Sequence, residues 1–345
     1  MSDTITLCRP DDWHLHLRDA AAMADVVGHT AARFGRAMVM PNLQPPITDT
    51  VAAERYRQRI LAALPTGNRF QPLMTLYLTD NTTPEQIAEA AASGIIYGVK
   101  LYPAGATTHS AAGVTDLHRL DPVMSALSEL QLPLLVHGEV TDPAVDIFDR
   151  EGRFIEQQLR PLLTRHPDLR LVVEHATTAD AVAFVQQAGD QVAATITPQH
   201  LLLNRNALFQ GGLQPHHYCL PVLKRERHRE ALLAAASGGD RCFFLGTDSA
   251  PHPRHAKESG CGCAGIYSAH AAIELYAEAF DTIGAIDRLE AFAAHHGADF
   301  YRLPRNSDTI TLRRQPWQVP DHYRFGEQQV VPLRAGATVA WTLQQ

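Results

Sequence analysis

Short apolar runs alternate with longer segments of helical spacing along most of the chain. Residues 13–17, 37–40, 73–78, 97–102, 134–137, 171–175, 192–197 and 243–247 are each short and mainly apolar, which predicts eight strands. The segments between most of them carry helix punctuation. "TPEQIAEAAASG" offers Thr83 as an N-cap, Pro84 at the first helical position, Gln86 in capping-box position and Gly94 as a stop. "DPVMSALSEL" repeats the device with Asp121 and Pro122, and "TTADAVAFVQQAG" runs from Thr178 to a terminating Gly189. Strands alternating with helices predict an α/β fold of the (β/α)₈ TIM-type barrel, with a doubly wound sheet as its rival. After about Gly297 the pattern changes to "DTITLRRQPWQVP" and "VPLRAGATVAWTLQQ", which predicts a short C-terminal extension, 297–345, packed on a single barrel domain.

Composition narrows the class. A length of 345 residues with 45% hydrophobic content suits one barrel plus an extension. A net charge of −7 argues against nucleic acid as a partner, which would call for a basic face. The opening "MSDTITLCRPDD" lacks a charged segment followed by an apolar one, so no secretory signal is expected. No apolar run approaches the roughly 18 residues that span a bilayer. Five cysteines, odd in number and scattered, are unlike an extracellular disulfide framework. The expectation is a cytoplasmic enzyme without membrane contact. The 18 histidines are the unusual number, and their positions matter more than their count.

Polar residues with chemistry sit where the predicted strands end. In "DDWHLHLRD" strand alternation puts His14, His16 and Arg18 on one face and Leu15 and Leu17 on the other. The second strand runs into Pro41 and Asn42, the fourth carries Lys100, and the fifth and sixth end on His137 and His175. The eighth reaches Asp248 and then His252. Singly, each has a plain explanation: a hydrogen-bonded structural histidine, a lysine whose ammonium reaches solvent, an aspartate capping a helix. A barrel, however, gathers the C-terminal ends of its strands at one mouth, and His14, His16, Lys100, His137, His175 and Asp248, if plain, have no reason to share that rim. Histidine and carboxylate donors without thiolates suit zinc or a similar divalent ion. Four histidines and an aspartate exceed what one catalytic zinc needs, so two ions are expected, with a bridge between them. Lys100 as an ammonium would repel both; it fits only if modified.

These residues carry a resemblance. The motifs "DDWHLHLRD", "MPN", "GVKLYPAGATTHS", "VHGE", "VEHATT", "TPQHLLLNRN", "GTDSAPH" and "GCGCAG", in this order over nearly the whole chain, resemble the shorter bacterial dihydroorotases of the amidohydrolase superfamily. The resemblance implies two Zn²⁺ ions per subunit, with His14, His16 and Asp248 on one, His137 and His175 on the other, and Lys100 as an N6-carboxylysine whose carbon dioxide-derived carbamate bridges them. It implies reversible closure of N-carbamoyl-L-aspartate to L-dihydroorotate plus water, a step of pyrimidine synthesis, with Asp248 as the catalytic proton carrier. Arg18, Asn42, His252 and the backbone at Leu220 and Ala264 are the implied substrate contacts, and Thr107 and Thr108 in "AGATTHS" the implied lid. A homodimer is implied as well.

Other signals are weaker. "GCGCAG" matches G-x-G-x-x-G but follows no strand, so it is not read as a dinucleotide site. Cys261 and Cys263 have no second thiol pair nearby in sequence and read as small-residue loop packing. The pairs His216–His217 and His295–His296 are taken as surface or structural, "KRERHRE" as a solvated helix face, and His200 as a pocket-lining candidate. A hydantoinase or allantoinase would share the metal ligands but lack the clamp of Arg18, Asn42 and His252. A non-catalytic barrel serving in an assembly would have lost ligands, and none is missing here.

Overall fold

The structure, a computed structural model, describes residues 3–260 and 262–344. Strand β1 (Thr4–Cys8) lies outside the main sheet. The eight strands β2 (Asp12–Leu15), β3 (Arg36–Val39), β4 (Gln71–Tyr77), β5 (Ile96–Leu101), β6 (Leu134–Val136), β7 (Leu171–Val173), β8 (Val192–Ile196) and β9 (Phe243–Leu245) pair in strict sequence order, all parallel. Unbroken order excludes the doubly wound rival, in which strand order reverses. The ends of the sheet meet just past β2 and β9: Asp248 N donates to His14 O at 2.8 Å, His16 N donates to Ser249 O at 3.1 Å, and Leu15 bridges Ser249 in parallel. The sheet is therefore a (β/α)₈ barrel whose seam is joined at the C-terminal rim.

Both faces of the barrel strands are apolar, for different reasons. Leu134 and Val136 belong to the layer between strands and helices, while Leu135 joins Met38, Leu73, Val172, Ala193 and Phe244 inside the barrel. Trp13 closes the floor, stacked on Tyr301 with ring centroids 4.5 Å apart. The helix His296–Phe300 lies so close to it that a Cβ on Gly297 would fall 2.0 Å from Trp13 Nε1. That contact explains a glycine inside a helix, and the helix continues past the position where the sequence pattern breaks.

Each predicted strand is found, but its C-terminal end is one or two residues shorter, and at β2, β6, β7 and β9 the residues left outside the strand include polar groups of the mouth. Arg18 is the clearest departure from the expected alternation. β2 stops at Leu15, and Arg18 has a left-handed backbone (φ +61°), as do His175 (+40°) and Asp248 (+45°). Such conformations are costly for residues with a Cβ and persist where the surroundings fix them. The capping box at Thr83 and Gln86 starts the helix Pro84–Ala92 as expected, and Thr178 caps Ala179–Gln187. Asp121 is not a cap: it is the first residue of Asp121–Glu129, and its carboxylate accepts from Arg165 and His166. The end of the chain folds into short antiparallel pairs, and β10 (Thr309–Arg313) runs between β1 and Thr342–Gln344. The sequence pattern missed β1, whose partner lies some three hundred residues away.

Candidate metal centre

Four imidazoles converge in the mouth, and each of three has one nitrogen already committed. His14 Nδ1 donates to Glu174 Oε2 at 2.6 Å, His16 Nδ1 to Asn42 Oδ1 at 2.8 Å, and His137 Nε2 to Glu139 Oε2 at 2.8 Å. A proton on each donating nitrogen leaves the other as a bare lone pair. The free nitrogens of the first two face each other, His14 Nε2 lying 3.3 Å from His16 Nε2; His137 Nδ1 lies 3.3 Å from Nε2 of His175, a ring whose Nδ1 has no partner. The two lone pairs of His14 and His16 repel at that distance unless a cation lies between them. Burial, assisted by the nearby Lys100 charge, holds His14, His16 and His175 below the ordinary histidine range, so they are neutral donors.

Asp248 completes the first group. Its Oδ1 lies 3.1 Å from His16 Nε2 and 3.4 Å from His14 Nε2, and the ligand atoms of all three lie within 4.8 Å of one another. Burial pushes the Asp248 carboxyl up, but its polar surroundings, the Lys100 charge among them, outweigh it and hold the group below the ordinary carboxylate range. The carboxylate partners behind the imidazoles were not foreseen from the sequence. Glu174 accepts from both His14 and Thr195 Oγ1, the latter at 2.7 Å, and burial raises it to about 7. Asp12 accepts from Thr247 N at 2.8 Å and Thr247 Oγ1 at 2.6 Å across the barrel seam. Carboxylates that orient metal-binding imidazoles are a recurring arrangement. "HGE" and "EH" hinted at them, since an acid within two residues of a ligand can turn toward the same site.

Lys100 sits on β5, in register with Tyr77 and Leu135, and is fully buried. Its Nζ has no hydrogen-bond partner, and burial pushes its pKa down to about 8. An ammonium without any acceptor in a site of lone pairs is an unstable arrangement. The donor set of His14, His16 and Asp248 fits a divalent ion, and His137, His175 and the orphaned Lys100 amine lie beside it.

The remaining predicted residues except His252 line the space above; His252 packs behind Arg18. Arg18, Asn42, Leu220, Ala264, Thr107 and Thr108 border one cavity with His16, His137, His175 and Asp248. Arg18 Nε donates to Pro251 O at 2.9 Å and its Nη2 to His252 Nε2 at 2.8 Å. Gly265, with φ +149°, allows the 262–265 segment to approach: a Cβ there would lie 2.6 Å from Ala250 O. The 107–108 segment lies over the mouth, with Thr108 Oγ1 3.5 Å from Ala264 O and Asn42 Nδ2 3.4 Å from Thr108 O. Asn42 thus contacts His16 and Thr108 at once.

Other expectations fare differently. His200 does not border the cavity; its Nε2 donates to Pro221 O at 3.1 Å and its Nδ1 accepts from Thr197 Oγ1 at 2.7 Å, so it supports the segment carrying Leu220. "KRERHRE" is not simply a solvated face, because Lys224 and His228 are buried, the former donating to Val222 O and the latter accepting from Ala179 N. His296 is buried and hydrogen-bonded to Phe243 O, while His216 pairs with Glu258. Cys263 is a free thiol, and Cys261 lies outside the described residues.

Comparison with known proteins agrees with this geometry. No protein-family model matches the chain. A curated dihydroorotase from Nitrosococcus oceani is 64% identical over 345 residues, covering 100% of both chains. Among solved structures, a dihydroorotase from Campylobacter jejuni superposes with a TM-score of 0.91 at 35% identity, over 100% of this chain and 98% of that one. A dihydroorotase from Saccharomyces cerevisiae, solved with 5-fluoroorotic acid, gives 0.91 at 32% identity over 99% and 98%. Full-length identity at this level establishes that the chain belongs to the dihydroorotase family of cyclic amide hydrolases.

Proposed function

We propose that the chain interconverts N-carbamoyl-L-aspartate and L-dihydroorotate, using two zinc ions held by His14, His16 and Asp248 on one side and His137 and His175 on the other. Lys100, carboxylated by carbon dioxide, bridges them. The observation that carries this reading is the orphaned Lys100 Nζ, buried beside His14 and His16, whose free lone pairs face one another, and beside the close pair His137 and His175. A carbamate turns the one misplaced cation of the site into an anionic bridge. Bound zinc supplies Lewis-acid polarisation of a carbonyl and makes water a better nucleophile at neutral pH.

The chain's own groups account for the rest. Arg18 presents a planar fork for the substrate's free carboxylate, with Asn42, His252 and the backbone at Ala264 beside it. The backbone at Leu220 meets the ring. In ring opening Asp248 takes the proton of the attacking water and passes it to the leaving ring nitrogen; in closure it returns that proton along the same path. Thr107 and Thr108 close over the substrate and exclude bulk water. The 5-fluoroorotic acid in the Saccharomyces cerevisiae relative supports a pyrimidine carboxylate as the ligand class. We read the whole of 1–345 as one barrel domain with 297–345 as its extension, acting as a cytoplasmic homodimer.

A spectrophotometric assay of dihydroorotate ring opening, run beside elemental analysis, tests this reading. Turnover that requires about two zinc ions per chain is expected; turnover that survives complete metal removal would refute it.

A further inference from the structure

Lys257 is an unexplained buried cation next to the proposed substrate carboxylate site. It ends the short helix Arg254–Lys257, is 4% exposed, and has no carboxylate within 4.0 Å among the described residues. Glu258, next in sequence, spends its carboxylate on His216 and Arg254. The Lys257 ammonium instead donates to two backbone carbonyls, Tyr218 O at 2.6 Å and Gly265 O at 2.7 Å, with the Tyr218 ring 5.7 Å away. Gly265 N also donates to Tyr218 O, at 3.0 Å. One ammonium therefore ties together the two segments that carry Leu220 and Ala264.

Its electrostatic position is equally specific. Arg18 and His252 lie on the same side of the cavity, and Arg18 and Lys257 both hold His252 well below its ordinary range, after burial itself. Asp248 faces Arg18 across the cavity, but Lys257 has no carboxylate of its own, and its charge is left for an incoming anion. Surface lysines in the same composition would be paired or solvated; this one is neither. Resting on the proposed reaction, we infer that Lys257 is a positioning residue for the substrate's free carboxylate: it fixes the 218–221 and 262–265 segments against each other and leaves the Arg18 end of the cavity one positive charge in excess.

The groups facing Lys257 are Arg18 beyond β2, Tyr218 and Cys219 on one segment, Cys263 on the other, and His252 and His216. Burial pushes Lys257 down to about 8, with the thiols of Cys219 and Cys263 raising it and Arg18 lowering it. A lysine is charged below its pKa, so the excess charge is present at neutral pH and lost as pH rises through about 8. A merely structural lysine would not impose that dependence on substrate binding.

The test compares wild type with Lys257→Met and Lys257→Arg, measuring kcat and KM for dihydroorotate from pH 6.5 to 9.5, zinc content and melting temperature. In wild type KM should rise above pH 8. Lys257→Met should keep its zinc, raise KM at pH 7 by about tenfold or more, the loss of one charge-assisted contact, with kcat changed far less, and show no further alkaline rise. Lys257→Arg, whose charge does not titrate here, should keep a lower KM than Lys257→Met and also lose the alkaline rise; it decides the matter alone if Lys257→Met does not fold. A wild-type KM flat to pH 9.5, a KM unchanged in Lys257→Met, or an alkaline rise that survives in Lys257→Arg would overturn the inference. A wild type that binds two zinc ions but does not turn over dihydroorotate would instead overturn the proposed function.

Discussion

Lys100 and Glu174 show how single side chains decide the chemistry of the mouth. Carbon dioxide adds only to an unprotonated amine, and burial has brought the Lys100 pKa down to about 8. The free amine becomes the major form as pH rises through that value. At fixed dissolved carbon dioxide, carboxylation of the metal-free protein, followed by carbon-13 NMR, should accelerate between pH 7 and 9 and then level off. A rate independent of pH over that range would contradict the placement of this amine. Glu174 acts through His14, accepting from its Nδ1 at 2.6 Å. Glu174→Ala removes that acceptor and strands the Thr195 hydroxyl as well. Zinc affinity, measured by competition with a chelator, should fall about 10–100-fold; an unchanged affinity would mean that the imidazole is held by something else.

At the scale of elements, the lid and the barrel floor are built on opposite principles. The lid is tied within itself: Ser110 Oγ donates to Thr107 O at 2.6 Å and Thr107 N to Ser110 Oγ at 2.8 Å. Its bonds to the mouth are long, 3.3 to 3.5 Å, which suits a loop that opens as a body. Replacing Thr107 and Thr108 together by valine should leave zinc content unchanged and lower kcat by about tenfold for each substrate hydrogen bond lost; an equal loss of zinc would assign the pair to the metal site. The floor is rigid by contrast. Gly297→Ala would force a methyl into the Trp13 ring and should destabilise the fold by about 1–3 kcal/mol, read as a lower melting temperature, with Trp13 fluorescence reporting the displacement. An unchanged melting temperature would mean that the floor yields more easily than its packing suggests.

Across the whole molecule, ligands more than two hundred positions apart meet because parallel strands end at one rim. That is why so much was legible: barrel topology converts "HLH", "VK", "VHGE", "VEH" and "TDSAPH" into a single site once the strand order is known. What stayed hidden was of another kind. Nothing in the sequence tells which way Glu139, Glu174 or Asp12 turns, since an acid beside a ligand serves equally well as a cap or a surface charge. β1 was invisible because its register is set by β10, far along the chain. Lys257 was invisible because its partners are carbonyls, which any residue supplies.

The account depends on Lys100 joining two cations, and counting zinc in Lys100→Ala against wild type addresses it most directly. Wild type should bind about two ions per chain and open dihydroorotate; Lys100→Ala should lose bound zinc and turnover together, with partial return of both when a small carboxylate is added. A Lys100→Ala protein that retains two zinc ions and full activity without added acid would contradict it.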